Sequence, residues 1–396
     1  MKWHLNTTMA VISALEQIFS QNKYADKVIE KVLKQNPKWG SRDRKFIAET
    51  TYDIVRWYRL LQYISESENN HWYHLASWCI INNIGLPPWT EFEGIKASTV
   101  LQRKQAAMQI RKIREAIPDW LDELAFEELG DKWEKEITAL NQQAAVVLRV
   151  NTLKTTKAVL KEVLAAEGID TMALSNYPDA LELVTRSNIF KNNAFKEGLF
   201  EVQDASSQLV APFMEIEPGM RVIDACAGAG GKTLHMAALM QNKGRIIALD
   251  TEAWKLDELK KRARRGGAGN LETKVIEGSK TIKRLEKSAD RVLLDVPCSG
   301  LGVLRRNPDA KWKLSLDFLN KVRELQQNIL SQYASMVKAG GTLVYSTCSL
   351  LPSENEMQVQ KFISAKGGQF ELLAQQSILP SSGYDGFYMA RLRRIK

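Results

Sequence analysis

Apolar positions along the chain change their period twice. Up to about residue 140 they recur at helical intervals. The stretch 41–64, SRDRKFIAETTYDIVRWYRLLQYI, places Phe46, Ile47, Tyr52, Ile54, Val55, Tyr58, Leu61 and Ile64 at such spacings. No glycine or proline interrupts it, and Ser41 stands where an N-cap belongs, so one continuous helix is predicted. Residues 145–203 change character. Short β-rich segments at 146–150, 180–184 and 198–202 flank a helical stretch at 156–167 that stops at Gly168, the pattern of a small α/β module. From residue 206 strands and helices alternate, which predicts a doubly wound α/β sheet. The strand candidates are 221–225, 245–249, 273–276, 291–295 and 342–346, and the helix candidates are 232–241, 254–265, 316–337 and 353–364. A late pair near 370–373 and 386–392 would add antiparallel strands. Three domains follow: a helical 1–144, a small α/β module 145–205 and a sheet domain 206–396.

Composition narrows the class. The chain has 396 residues, 44% hydrophobic and 26% charged, enough for several cores. Its net charge of +9 suits either a mildly basic enzyme or a protein with a polyanionic partner such as nucleic acid. Four cysteines are too few for a disulfide framework, which implies a reducing, cytoplasmic setting. No apolar run is long enough to span a membrane, and the N-terminal sequence lacks a signal-peptide pattern, so no membrane partner is expected. The basic run 103–114, RKQAAMQIRKIR, reads by default as a solvated helix face and more sharply as an RNA backbone contact. Eight of the ten tryptophans precede residue 140, where helix packing is the default role. His71 and His74 share a helical spacing without further ligands nearby, and Cys79 sits in an apolar context that suits an inert buried thiol.

Two stretches carry chemistry. The first predicted strand runs into DACAGAGGKT, residues 224–233, where Gly228, Gly230 and Gly231 allow close backbone approach just before a helix. The spacing matches neither the phosphate-binding loop nor the dinucleotide fingerprint. The next strand ends in Asp250, 22 residues beyond Gly228, where a carboxylate can accept from a ribose diol. A glycine loop and an acid without a pyrophosphate site fit S-adenosylmethionine. The second stretch is 290–312, DRVLLDVPCSGLGVLRRNPDAKW. Its apolar strand ends in Asp295 and a Pro-Cys turn carrying Cys298, and the strand at 342–346 ends near Cys348. Two thiols and a carboxylate at neighbouring strand ends suit pyrimidine carbon-5 chemistry. A thiolate adding to carbon 6 makes carbon 5 nucleophilic, while a carboxyl group assists at the N3/N4 edge. The bland alternative is a pair of ordinary buried cysteines.

The motifs DACAGAGGKT, DVPCSGLGVLRRNPDAKW, YSTCSLLPSENE and DGFYMARL, with QDASSQ at 203–208, resemble those of the Sun-type RNA cytosine-C5 methyltransferases over roughly 145–396. The resemblance implies a Rossmann-like methyltransferase sheet, S-adenosyl-L-methionine as cofactor, RNA as substrate with ribosomal RNA first, and a monomer. It implies Cys348 as nucleophile, Cys298 as helper in product release, and Asp295 with Lys232 on the target base. It further implies a cofactor site of Cys226, Ala227, Gly228, Ala229, Gly230, Gly231, Lys232, Asp250, Glu277 and Asp295. Gly228-Ala229 replaces the family's usual Ala-Pro, and Gly278 is followed by Ser279 rather than an acid, which leaves Glu277 or Ser279 for the third-strand contact. The helices of 1–144 resemble a NusB-like RNA-binding domain through RDRKFIAETTYDIVRWYRLL. The competing expectations are a transfer-RNA cytosine-C5 methyltransferase, a DNA cytosine enzyme, which Cys348 argues against, and a catalytically silent RNA-binding assembly factor.

Overall fold

The computed structural model describes residues 3–396 and divides into two compact units. The first comprises the chain up to Gln142 together with Leu304–Leu316. The second comprises Gln143–Val303 and Asp317–Lys396.

The first unit is helical, with principal helices Leu5–Phe19, Ala25–Gln35, Ser41–Arg56, Tyr58–Ser65, His71–Ile81, Ala97–Ala107, Asp119–Leu129 and Lys132–Leu140. Val11, Leu15, Ile18, Ile47, Ile54, Val55, Leu61 and Leu75 form its core, each almost wholly removed from water. The helix expected over 41–64 is broken. Trp57 leaves the helical region at φ −102°, ψ 16°, and a new helix starts at Tyr58. Ser41 is the first helical residue rather than the cap. Gly40 precedes it, and the Gly40 N–H donates to Asp43 Oδ2 at 3.2 Å. Leu304–Leu316 belongs to this unit, although the sequence places it in the sheet domain. The Trp312 indole N–H donates to Val55 O at 2.7 Å, Asp309 Oδ2 accepts the Ala25 N–H at 2.9 Å, and Arg56 donates to Arg305 O at 2.9 Å. Asp309 thereby satisfies one of the otherwise unpaired N–H groups at the start of a helix.

The second unit holds two sheets. In the smaller, strands β1 (Val147–Val150), β2 (Thr171–Ala173), β3 (Ala180–Leu183) and β4 (Phe200–Val202) pair antiparallel in the order β2-β3-β1-β4. The helix Lys157–Ala166 buries Leu160 and Leu164 in this module's core with Leu148 and Phe200. Thr156 caps that helix by accepting the Val159 N–H at 3.3 Å. Strand β2 carries one buried side chain in three, too weak a pattern to read in advance.

The larger sheet has seven strands in the order β10-β11-β9-β8-β5-β6-β7. They are β5 (Arg221–Asp224), β6 (Arg245–Asp250), β7 (Leu271–Val275), β8 (Ala289–Asp295), β9 (Val337–Thr347), β10 (Phe370–Ile378) and β11 (Phe387–Arg394). Strands β5 to β9 are parallel, while β11 runs antiparallel to β9 and β10 antiparallel to β11. The order reverses between β5 and β8, the crevice where open α/β sheets bind ligands. The helix expected over 316–337 stops at Tyr333, because β9 already begins at Val337, and the one expected over 353–364 runs Glu356–Ala365. A short helix, Ser279–Lys283, falls where none was expected.

The small sheet braces the large one through charge. Glu201 on β4 is buried and receives Arg262 at 2.9 Å and Arg265. Replacing Glu201 with alanine should strand two half-buried guanidiniums. Breaking a buried pair costs 3–5 kcal/mol, and the partial exposure of both arginines lowers the expected loss to about 2–4 kcal/mol. Urea unfolding checks it, and an unchanged midpoint would count against the brace.

Candidate active site

Strands β8 and β9 set the register of the site. Asp295 lies opposite Ser346 at their carboxyl ends. Cys298 follows three residues beyond Asp295 and Cys348 two beyond Ser346, so both thiols emerge at one edge. Their sulfurs lie 3.3 Å apart. Each Asp295 oxygen accepts one hydrogen bond: Lys232 Nζ donates to Oδ2 at 2.6 Å and Ser346 Oγ to Oδ1 at 2.8 Å. Lys232 also lies 4.9 Å from the centre of the Phe387 ring.

A buried carboxylate holds the two thiol loops. Glu354 is wholly excluded from solvent. Its Oε1 accepts the Ser299 N–H at 2.8 Å and Gln326 Nε2 at 3.1 Å, while Oε2 accepts the hydroxyls of Ser299, at 2.5 Å, and Ser349. Asn355 Oδ1 accepts the Thr347 hydroxyl at 2.5 Å, and Asn355 Nδ2 donates to Ser349 O at 3.1 Å. Behind Cys348 the backbones of Gly302 and Gly386 touch. The Gly302 N–H donates to Cys348 O at 2.8 Å and the Gly386 N–H to Gly302 O at 2.8 Å. A Cβ on Gly302 would lie 2.4 Å from Gly386 O, so only glycine fits.

The glycine loop lies at the end of β5. The Gly228 N–H donates to Asp250 Oδ2 at 2.8 Å, and Gly228 takes φ +53°. Asp250 Oδ1 accepts the Glu252 N–H at 2.9 Å. Asp250 therefore shapes the loop. Gly230, at φ +87°, opens the helix Gly231–Leu239, and a Cβ there would strike Leu259 at 2.5 Å. Arg262 donates to Ala229 O at 2.8 Å and Arg149 to Gly231 O, so cations contributed partly by β1 support the loop from behind. Ala227 is buried under this loop.

Two sequence-derived candidates lie just past the carboxyl end of β7, whose Val275 pairs with Asp250. Glu277 is exposed in the turn after β7 and, among the described residues, makes no hydrogen bond to the glycine loop or to Asp250. It lines a separate cavity of about 550 Å³ with Arg221 and Arg245. Ser279 is also exposed, at the start of a short helix. Cys226 lies at the end of β5, and burial, then the carboxylates of Asp224, Asp295 and Asp250, push its thiol well up, which ill suits a nucleophile. The basic run 103–114 is not a freely solvated face. Its arginines and Lys112 are held by acidic partners.

Electrostatics separate the remaining groups. Hydrogen bonding to Cys348 and burial push the Cys298 thiol up. Two sulfurs this close disfavour a doubly ionised state. Asp224, which the sequence did not single out though it begins the glycine motif, is buried and held up to about 7 by loss of hydration. Thr233 Oγ1 donates to its Oδ2 at 2.7 Å, and its Oδ1 has no partner among the described residues.

A mixed seven-stranded sheet with a glycine loop after its central strand, an acid ending the next and thiols on the following two is the architecture of a Rossmann-like methyltransferase. Residues 211–393 match the family described as 16S rRNA methyltransferase RsmB/F, and residues 117–189 match the RsmF/B-like ferredoxin-like domain. A probable ribosomal RNA small subunit methyltransferase B of Synechocystis is 33% identical over 96% of this chain and 97% of its own length. The ribosomal RNA small subunit methyltransferase B of Klebsiella pneumoniae is 26% identical over 99% of both. Among solved structures, a methyltransferase homolog protein from Pyrococcus horikoshii superposes with TM-score 0.64 at 27% identity, over 72% of this chain and 98% of its own. NSun6 from the same organism shares the fold, with TM-score 0.66 at 22% identity over 71% and 99%. The chain belongs to the RsmB/F methyltransferase family.

The raised Asp224 carboxyl predicts a pH dependence. The folded state holds this proton more tightly than the unfolded chain, so stability falls as pH rises from about 4 to about 7 and is flat above. Asp224→Asn removes this titration. The variant's stability relative to the parent should therefore improve by about 2–3 kcal/mol between about pH 5 and about pH 8. Denaturant titrations at both pH values check it; a pH-independent difference would show that Asp224 is ionised throughout.

Proposed function

We propose that this chain methylates carbon 5 of a cytosine in small-subunit ribosomal RNA, using S-adenosylmethionine and a covalent bond between Cys348 Sγ and carbon 6. The observation that carries the reading is the 3.3 Å pair of sulfurs beside the Lys232–Asp295 pair. The names of the relatives above support the choice of RNA. The cofactor fits the residues present. Open space lies in front of Gly228, where a Cβ would meet nothing within 4 Å. The backbone of 226–232 cradles that space, and Asp250 stands at the adjacent strand end. When bound there, the cofactor supplies an electrophilic methyl group.

Cys348 gives its proton to solvent and its thiolate adds to carbon 6; the carbon 5–carbon 6 π bond breaks and its electron pair moves onto the ring, so that carbon 5 becomes the nucleophile. Asp295 accepts from or protonates the N3/N4 edge, and Lys232 keeps that carboxyl placed. After transfer, a base removes the proton at carbon 5 while the bond from Cys348 Sγ to carbon 6 breaks. Cys298 is the neighbouring group available for that step. Attack on a ring face needs an unpaired or flipped cytosine.

Cys348→Ala should abolish turnover and leave no adduct. Cys298→Ala should permit addition and methyl transfer but stall release. Denaturing gels with RNA and cofactor would then show a retarded protein–RNA band for Cys298→Ala and none for Cys348→Ala. The reverse pattern would exchange the two roles.

Asp250→Ala should weaken cofactor binding by about 1–3 kcal/mol, through lost ribose hydrogen bonds and a released Gly228 N–H. Calorimetric titration of the RNA-free protein measures it; unchanged affinity would remove Asp250 from the cofactor site.

A further inference from the structure

The helical unit contains a cavity of about 450 Å³ that the chemistry above leaves unused. That volume lies within the range of roughly 300–1,000 Å³ common to small-molecule sites. Trp57, Trp78, Leu60 and Met108 supply much of its apolar wall, and Asp53 and Lys104 also line it.

The charges around it are unevenly matched. Within the basic run, Arg103 pairs with Glu66, Arg111 with Asp122 at 2.9 Å, Lys112 with Asp119 at 2.7 Å, and Arg114 with Glu115 at 3.0 Å. Lys104 is the one cation of that run with no ion pair or hydrogen bond among the described residues. The Asp53 carboxylate likewise has neither, and burial raises its proton affinity. Glu115, also at the cavity, is already saturated, accepting from Arg114, from Thr138 at 3.0 Å and from Asn141 at 3.0 Å. Neither Trp57 nor Trp78 contacts another aromatic ring among the described residues. The cavity thus offers two unstacked indoles, one unmatched acceptor and one unmatched cation.

An occupant satisfying all of these has a flat π-system, two adjacent N–H donors and a negative charge. Of the four RNA bases only guanine presents two neighbouring donors on one edge, N1–H and N2–H, which a carboxylate accepts as a pair. Adenine and cytosine place an amino group beside an acceptor, and uracil has one N–H between two acceptors. Indole faces add stacking, which every base accepts, so Asp53 carries the discrimination.

We propose that this cavity captures an unpaired guanine nucleotide, its base against Trp57 and Trp78, its N1–H and N2–H edge on Asp53 and its phosphate at Lys104. That the nucleotide belongs to the RNA substrate rests on the function proposed above; the cavity's own chemistry does not.

The test uses the full-length protein without methyl transfer, so it stands or falls separately from the enzymatic reading. 6-Thioguanosine monophosphate is photo-crosslinked and the adduct mapped by mass spectrometry. Adducts are expected on the segment around Trp57 or Trp78. Unlabelled GMP should compete at concentrations about 10-fold or more below AMP and CMP, the effect of losing one charged hydrogen bond. IMP, which lacks the 2-amino group, should fall between them. Asp53→Asn should remove the preference for GMP, and Lys104→Met should weaken GMP but not guanosine. Adducts confined to other segments, no adducts, or equal competition by GMP, AMP and CMP would each overturn the proposal. The competition series uses the unmutated chain, so it decides the question even where a variant folds poorly.

Discussion

The site depends on Glu354. Strand pairing alone brings Asp295 opposite Ser346, but the cysteines lie beyond the last paired residues, in loops that no ladder holds. The carboxylate draws the residue after each cysteine, Ser299 and Ser349, to one point, and Gln326 closes the set. Such a network is stabilising only when complete, because a buried donor left without its acceptor loses its hydration for nothing. The crossing of Gly302 and Gly386 adds a steric limit at the back of Cys348. The 3.3 Å spacing of the sulfurs is therefore a product of polar satisfaction and close packing around the loops.

The glycine loop is shaped by a comparable economy of groups. Asp250 holds its front through the Gly228 N–H, and Arg262 and Arg149 hold its carbonyls from behind. The small antiparallel sheet supplies Arg149 and Glu201 to this support. Its place in the chain, directly before the large sheet, thus has a mechanical meaning for cofactor binding on the proposed reading.

Much of this fold was legible. The central strands are buried on both faces, so Val292, Leu293 and Leu294 read as an unbroken apolar run, and the residues that end such runs announce the ligand edge. Cys298 and Cys348 could be placed because two strands ended alike. What was hidden depends on long-range geometry. Trp57 carries an apolar side chain in correct helical phase, and only its backbone angles reveal the break. Leu304–Leu316 continues the Pro-Cys motif, yet its partners are Val55, Ala25 and Arg56. Glu354 sits in an acidic run, SENE, at the start of the helix expected over 353–364, and its burial follows from the distant Ser299 loop as well as from nearby Ser349. The basic run 103–114 showed its charge but not its partners, because these come from Glu66, Asp119 and Asp122.

The paired sulfurs also bear on the order of events in the proposed reaction. A thiolate on one sulfur penalises ionisation of the other, so the pair does not carry two charges at once. Bond formation from Cys348 to carbon 6 turns that sulfur into a neutral thioether. The electrostatic penalty on Cys298 then falls at the stage when a base is required to remove the carbon-5 proton. Elimination restores the Cys348 thiolate, which again favours the protonated form of its neighbour. On this argument the closeness of the sulfurs assigns addition and release to different steps without moving any residue. Lys232 complements it by keeping Asp295 paired, so that the carboxylate nearest the base edge adds no uncompensated negative charge to a site that must hold a thiolate.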